Sequence, residues 1–150
     1  MSVPEPDAAT AVVQRILPAP PDVVYREWID PDALADWMCP RPARATKIEL
    51  DARIGGRLQI DIDDGATQFV VSGRYIDLDP PNRLGFTWSC STWPDPQLES
   101  VVAVTLEPHG RAQTLMTIHH TLLPPGSIAD HQEGWTQVAE QLDDALPGRA

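Results

Sequence analysis

Between residues 45 and 123, short β-prone segments alternate with turn signals, and no helical period intervenes. ATKIELDA is followed by RIGGRL, where Gly55-Gly56 supplies the positive φ of a tight hairpin. LQIDID meets the turn DDGA, QFVVSGRYIDL meets DPPN, and RLGFTWSCS runs into the looser WPDPQ. ESVVAVTLE then meets PHGR, and AQTLMTIHHTLL meets PPGS. Six strands joined in this way form an antiparallel meander, with ATAVVQRIL at residues 9 to 17 as a seventh strand. Strand and helix do not alternate and no repeat period is visible, which disfavours a doubly wound parallel sheet.

Helices flank this series. In PAPPDVVYREWIDPDALADW, Pro21 suits the first turn of one helix, and Pro31, behind Asp30 as N-cap, suits the first turn of the next. Val24 and Trp28 share one face, as do Leu34 and either Trp37 or Met38, so both helices are amphipathic. The last segment, SIADHQEGWTQVAEQLDDAL, has Ser127 at its start as N-cap. Ile128, His131, Trp135, Val138, Leu142 and Ala145 recur at steps of three and four, which makes one continuous stripe. The expected architecture is α+β, a seven-stranded antiparallel sheet curled around this closing helix, with two short helices after the first strand.

Charge narrows the partners. A formal charge of -11, from 22 acids against 11 bases, repels phosphate backbones and anionic lipid, so neither nucleic acid nor membrane is expected. Arg41, Arg44, Lys47, Arg53 and Arg57 form a local basic segment, read as a solvated hairpin surface. Cys39 and Cys90 lack a CxxC spacing and are read as free thiols of a reducing, cytoplasmic compartment. No apolar run approaches the roughly 18 residues of a membrane span. Residues 1 to 8 are expected to be flexible, and residues 9 to 147 to form a single domain.

Three of the four histidines lie in HHTLLPPGSIADHQEGW, together with an aspartate and a glutamate. The strand pleat sorts them: Thr114, Met116, Ile118, His120 and Leu122 share the inward face, while His119 points outward. His131 lies on the inward stripe of the closing helix, so His120 and His131 can converge. Two histidines do not make a zinc site, and no metal or cofactor is expected. General acid–base chemistry by either histidine is the alternative to a hydrogen-bonded core role. No motif nominates a nucleophile. Mid-helix Gly134 calls for compensation, with close packing against a strand preferred over room for a ligand.

The order of motifs resembles the activator-of-Hsp90-ATPase homology group of the START-like, or SRPBCC, superfamily. The stretches that carry this are PAPPDVVYREWIDPDALADWMCP, ELDARIGGRL, GRYIDLDPPNRLGFTW, ESVVAVTLEPHGRAQTLMTIHHTLLP and HQEGWTQVAEQLDDAL, spanning residues 10 to 147. The resemblance implies a helix-grip fold with an apolar pocket between sheet and closing helix. It also implies a histidine at the position of His120 and an inward face carrying Leu84, Phe86, Trp88 and Cys90. Family members bind apolar small molecules, and some related branches are cyclases or dehydratases. The expectation is therefore an apolar or amphipathic ligand, with a cyclase- or dehydratase-type enzyme as the alternative. The residues expected to line the pocket are Trp28, Trp37, Phe69, Tyr75, Phe86, Trp88, Met116, Ile118, His120, His131, Trp135 and Val138. A homodimer is compatible with this reading. An Hsp90-type chaperone is not the expected partner, because the eukaryotic activators rely on a further N-terminal domain for much of that contact.

Overall fold

The computed structural model describes residues 10 to 149; the expectation of a flexible stretch at residues 1 to 8 lies outside them. Seven strands form one antiparallel sheet: β1 (Ala11–Leu17), β2 (Arg44–Leu50), β3 (Arg57–Asp63), β4 (Gln68–Asp79), β5 (Arg83–Cys90), β6 (Ser100–His109) and β7 (Gln113–Thr121). Their spatial order is β1-β7-β6-β5-β4-β3-β2, so the meander runs in sequence order and β1 closes onto the last strand. Helices α1 (Pro21–Ile29) and α2 (Pro31–Trp37) follow β1, and α3 (Ile128–Ala145) closes the chain with a short 3-10 turn, Leu146–Arg149.

Local chemistry explains most boundaries. Pro21 and Pro31 open their helices, and the Asp30 carboxylate accepts from the backbone N–H groups of Asp32 and Ala33. The two glycines of the first hairpin do different jobs. Gly55 takes φ +81, whereas Gly56 gives room to the chain, since a Cβ there would lie 1.9 Å from the Asp51 carbonyl oxygen. Gly73 does the same inside β4, where a Cβ would lie 1.8 Å from the Thr87 carbonyl oxygen. The β4–β5 register also shifts between Tyr75 and Asp77. Such irregularities increase local twist and let a long strand bend, which curls the sheet around α3.

Two sequence expectations need correction. Leu122 does not continue the inward face of β7: the strand ends at Thr121, Leu122 adopts φ +59 and is 62% exposed, and Leu123 turns inward instead. The left-handed residue flips the alternation by one position. Ser127 stands before α3 without capping it through its side chain; its hydroxyl donates to the Pro124 carbonyl at 2.8 Å.

The core lies between the concave face of the sheet and the three helices. Gln132 of α3 pairs with the free edge of β1 as another strand would, accepting from Val12 N–H at 2.9 Å and donating to its carbonyl at 2.5 Å. At the opposite end of α3, Gln141 donates to the carbonyls of Trp37 and Cys39, each at 2.8 Å, and accepts from Arg41 N–H at 3.2 Å. No helix among the described residues is long and apolar enough to cross a membrane.

One charged group is taken into this core. Glu27 is 5% exposed, accepts from Trp37 Nε1 at 3.1 Å and pairs with Arg149 at 3.0 Å. Arg149 also reaches Asp36 at 2.8 Å, so the final turn is fastened to both α1 and α2. Removing one partner of a buried pair leaves an uncompensated charge. Arg149→Met should therefore lower stability in urea unfolding by about 2–4 kcal/mol. Adding Glu27→Gln to that variant should recover part of the loss, and no recovery would mean that the arginine acts through packing alone.

Candidate functional site

A cavity of about 410 Å³ opens between the sheet and the N-terminal half of α3. The sheet contributes Ile62, Phe69, Val71, Trp88 and Cys90, and the loop after β5 contributes Thr92 and Trp93. The segment leaving α2 forms the opposite lip with Met38, Cys39, Pro40 and Ala43. From α3 come Asp130, His131, Gly134, Trp135 and Val138. The walls are thus hydrocarbon and aromatic ring, broken by a few polar atoms.

Of the residues singled out from the sequence, Phe69, Trp88, His131, Trp135 and Val138 line this cavity. Trp28, Trp37, Tyr75, Phe86, Met116, Ile118 and His120 do not; they are buried in the filled core behind it. The reason is that α1 and α2 bring two indoles over one end of the sheet. Trp28 packs against Trp37 at 4.9 Å between ring centroids, against Trp135 at 6.2 Å and against Phe86 at 6.4 Å. Tyr75 closes on Phe86 at 6.1 Å. Trp28 Nε1 and the Tyr75 hydroxyl have no partner among the described residues. Burial pushes the Tyr75 phenol upward.

His120 is fully buried in the core behind the cavity, and both of its ring nitrogens are engaged. Trp135 Nε1 donates to Nδ1 at 2.9 Å, and Nε2 lies 2.7 Å from Ser100 Oγ. Ser100 Oγ donates its own proton to the Trp88 carbonyl at 2.7 Å, so it must accept from His120. The tautomer follows: Nε2 carries the proton and Nδ1 the lone pair. Protonating Nδ1 would set two donors against each other. Burial, aided by neighbouring His131, pushes this imidazole down to about 3. The directed chain from Trp135 through His120 and Ser100 to Trp88 thus keeps the ring neutral. Such a ring suits a structural role and not proton exchange.

His131 stands 4.9 Å from His120 between ring centroids, edge to face, and 6.0 Å from Trp93. Its Nδ1 lies 2.8 Å from the Ser127 carbonyl oxygen, which can only accept. The two histidines therefore do converge, yet no three His, Cys, Asp or Glu side chains form a ligand group among the described residues.

Sequence reasoning missed the lip. Cys39 takes φ +78, a conformation that side chains other than glycine seldom adopt, and nothing in MCPRP announces it. The Gln141 hydrogen bonds hold this bend in place. Burial pushes the Cys39 thiol up to about 12, with Arg41 opposing, so it is no nucleophile at neutral pH. Cys90 Sγ lies 3.1 Å from Thr92 Oγ1. Asp130, off the apolar stripe of the helix, is exposed and borders the cavity mouth.

Gly134 also departs from expectation. Close packing does not explain it, because an added Cβ would meet only Pro40 Cγ, at an ordinary 3.5 Å. The glycine faces open cavity. Gly134→Ala should accordingly raise stability by up to about 1 kcal/mol through helix propensity, read from the urea midpoint. A loss of similar size would reveal packing that the geometry does not contain.

The His120 network makes a second prediction. The unfolded chain protonates this histidine near 6.5 and the folded chain near 3. Stability gained from holding it neutral is whole above about pH 6.5 and is lost as the pH falls toward 3, at up to ~1.4 kcal/mol per pH unit. In urea unfolding over this range, the stability gap between the parent and His120→Gln should narrow as the pH falls. A constant gap would contradict the depressed ring.

Comparison with known proteins follows from this architecture. No curated protein matches the chain. Protein CV1439 of Chromobacterium violaceum superposes with a TM-score of 0.83 at 29% identity, over 92% of this chain and 97% of that one. The AHSA1 protein of Silicibacter pomeroyi superposes with a TM-score of 0.82 at 25% identity, over 95% of this chain and all of that one, 100%. Protein MLL2253 of Mesorhizobium loti gives 0.77 at 26% identity, over 94% and 98%. The family model described as Activator of Hsp90 ATPase homolog 1-like protein matches residues 18–147. With that match across the helices, the curled sheet and α3, the chain belongs to the Activator of Hsp90 ATPase homolog 1-like family, and its fold is the helix-grip.

Proposed function

We propose that the protein binds an apolar or amphipathic small molecule in the cavity between its sheet and α3. The observation that carries this is the cavity itself, about 410 Å³ of space walled by Phe69, Val71, Trp88, Trp93, Trp135 and Val138. That volume falls within the roughly 300–1,000 Å³ of small-molecule sites. A protein interior ordinarily closes such a space, since interiors pack densely. Gly134 supports the same reading, since a helix interior keeps a costly glycine where an alanine would fit.

A hydrolytic or acid–base role for His120 gains no support from its geometry. Both of its nitrogens are held, and the Cys39 thiol stays protonated. Binding is the function that asks nothing further of these groups.

The test uses the full chain. Native mass spectrometry of the purified protein should reveal a co-purified small molecule, or the protein should bind the neutral fluorophore N-phenylnaphthylamine with enhanced emission. Gly134→Met, which projects a side chain into the cavity, should weaken that binding by at least about tenfold, equivalent to ~1.4 kcal/mol. Undiminished binding by this variant would place the fluorophore elsewhere and remove the proposal.

A further inference from the structure

Resting on the binding reading above, we propose that the cavity selects neutral ring compounds bearing a hydroxyl or similar hydrogen-bond donor, which His131 Nε2 accepts, and discriminates against carboxylates on the same skeleton. The argument begins with the Ser127 carbonyl. Because it can only accept, the 2.8 Å contact puts a proton on His131 Nδ1 and leaves the lone pair of the neutral ring on Nε2. No described residue meets that nitrogen. His120 beside it offers nothing to a ligand, since Trp135 and Ser100 occupy both of its nitrogens. Thr92 Oγ1 shares one of its hydrogen-bonding positions with Cys90 Sγ. The imidazole of His131 is thus the acceptor that this half of the cavity presents inside the mouth, where the Asp130 carboxylate stands exposed to solvent.

Charge decides the second half of the proposal. Asp130 is the carboxylate that borders the cavity, and no lysine or arginine lines it. The basic segment that might have met an anion contributes no side chain to the lining, although Arg41 lies near enough to act on the Cys39 thiol. Arg41 donates to the carbonyls of Asp36 and Ala43, Lys47 pairs with Glu49, Arg53 with Asp51, and Arg57 donates to Gln59. Arg44 is exposed on β2 and lies outside the lining. A ligand carboxylate would enter an apolar space with a like charge at its mouth and no lysine or arginine in the lining to pair with, which opposes binding. The walls favour flat rings for a separate reason: Phe69, Trp88, Trp93 and Trp135 present aromatic faces and edges around the space.

Naphthalene, β-naphthol and β-naphthoate share one skeleton and separate these terms. Calorimetric titration of the full chain near neutral pH should show β-naphthol binding about fivefold more tightly than naphthalene, the yield of one neutral hydrogen bond. β-Naphthoate should bind at least about tenfold more weakly than β-naphthol. In His131→Phe the ratio of β-naphthol to naphthalene affinity should fall to about one, whatever the absolute affinities become. In the unmodified protein, nitrogen NMR should show the His131 Nε2 resonance shifting with β-naphthol and not with naphthalene. Equal binding of β-naphthoate and β-naphthol, or a β-naphthol advantage that survives His131→Phe, would overturn the inference while leaving the binding reading intact. Failure of all the probes, naphthalene included, would overturn both.

Discussion

The hydrogen bond from Trp135 Nε1 to His120 Nδ1, at 2.9 Å, joins the closing helix to the end of β7, and the remaining geometry is arranged around it. Its worth exceeds a single contact because it lies in a directed series. Trp135 donates to His120, His120 to Ser100, and Ser100 to the Trp88 carbonyl, so one rotation of an indole is tied to β5, β6 and β7 together. Each polar group in the series is buried, and each has a partner. A break anywhere would strand a donor or acceptor in the core, at a cost of about 1–3 kcal/mol. The network therefore sets the angle at which α3 crosses the sheet, and that angle sets how much space remains between them.

The glutamine side chains of α3 limit the other degrees of freedom. Gln132 holds the first turns of the helix to the exposed edge of β1 through both amide atoms. Gln141 holds the last turns to the segment that leaves α2. Arg15 and Asp143, 2.7 Å apart, add an ion pair on the β1 side. Partial exposure makes that pair a minor term. With the helix secured at both ends, the gap along its N-terminal half cannot close by a rigid shift. Filling it requires side chains, and Gly134 supplies none.

The sheet and the helices were legible because their signals are local. Turn residues at Gly55, at DDGA, at DPPN and at PHGR mark strand ends without reference to the rest of the chain, and the observed strands begin and end within a few residues of them. The pleat put Thr114, Met116, Ile118 and His120 on one face and all four are buried, with only Leu122, beyond the strand end, departing; the family resemblance supplied the inward direction of Leu84, Phe86, Trp88 and Cys90, which are buried as well. The cavity was legible only in part. Periodicity tells which residues face inward and cannot tell which inward residues meet one another. Trp28, Trp37, Tyr75 and Phe86 satisfy the same sequence criterion as Trp88 and Trp135, yet α1 and α2 bring the former together into filled core and leave the latter facing space. That outcome depends on helix placement, a long-range property. The lip at Cys39 was illegible for another reason: its backbone turn is imposed by Gln141, about a hundred residues away in sequence.

Departures from local preference gather at the cavity. Gly134 interrupts a helix where alanine would be favoured, and Cys39 occupies a left-handed conformation that its Cβ disfavours; both line the same space. A third, Leu122 at φ +59, lies in the connection that delivers α3 to its place. Elsewhere the rules hold: prolines open helices, Asp30 caps one, and glycines occupy the tight turns. Strained or suboptimal positions persist where the surrounding structure over-determines them, and they concentrate where shape is needed for something other than stability. Here each departure has an identifiable holder. Gln141 holds Cys39, and the Trp135–His120 bond keeps Gly134 against the opening while stopping the helix from sinking into it. The space is thus maintained by specific hydrogen bonds against the general tendency of apolar side chains to close it, which sets it apart from a packing defect.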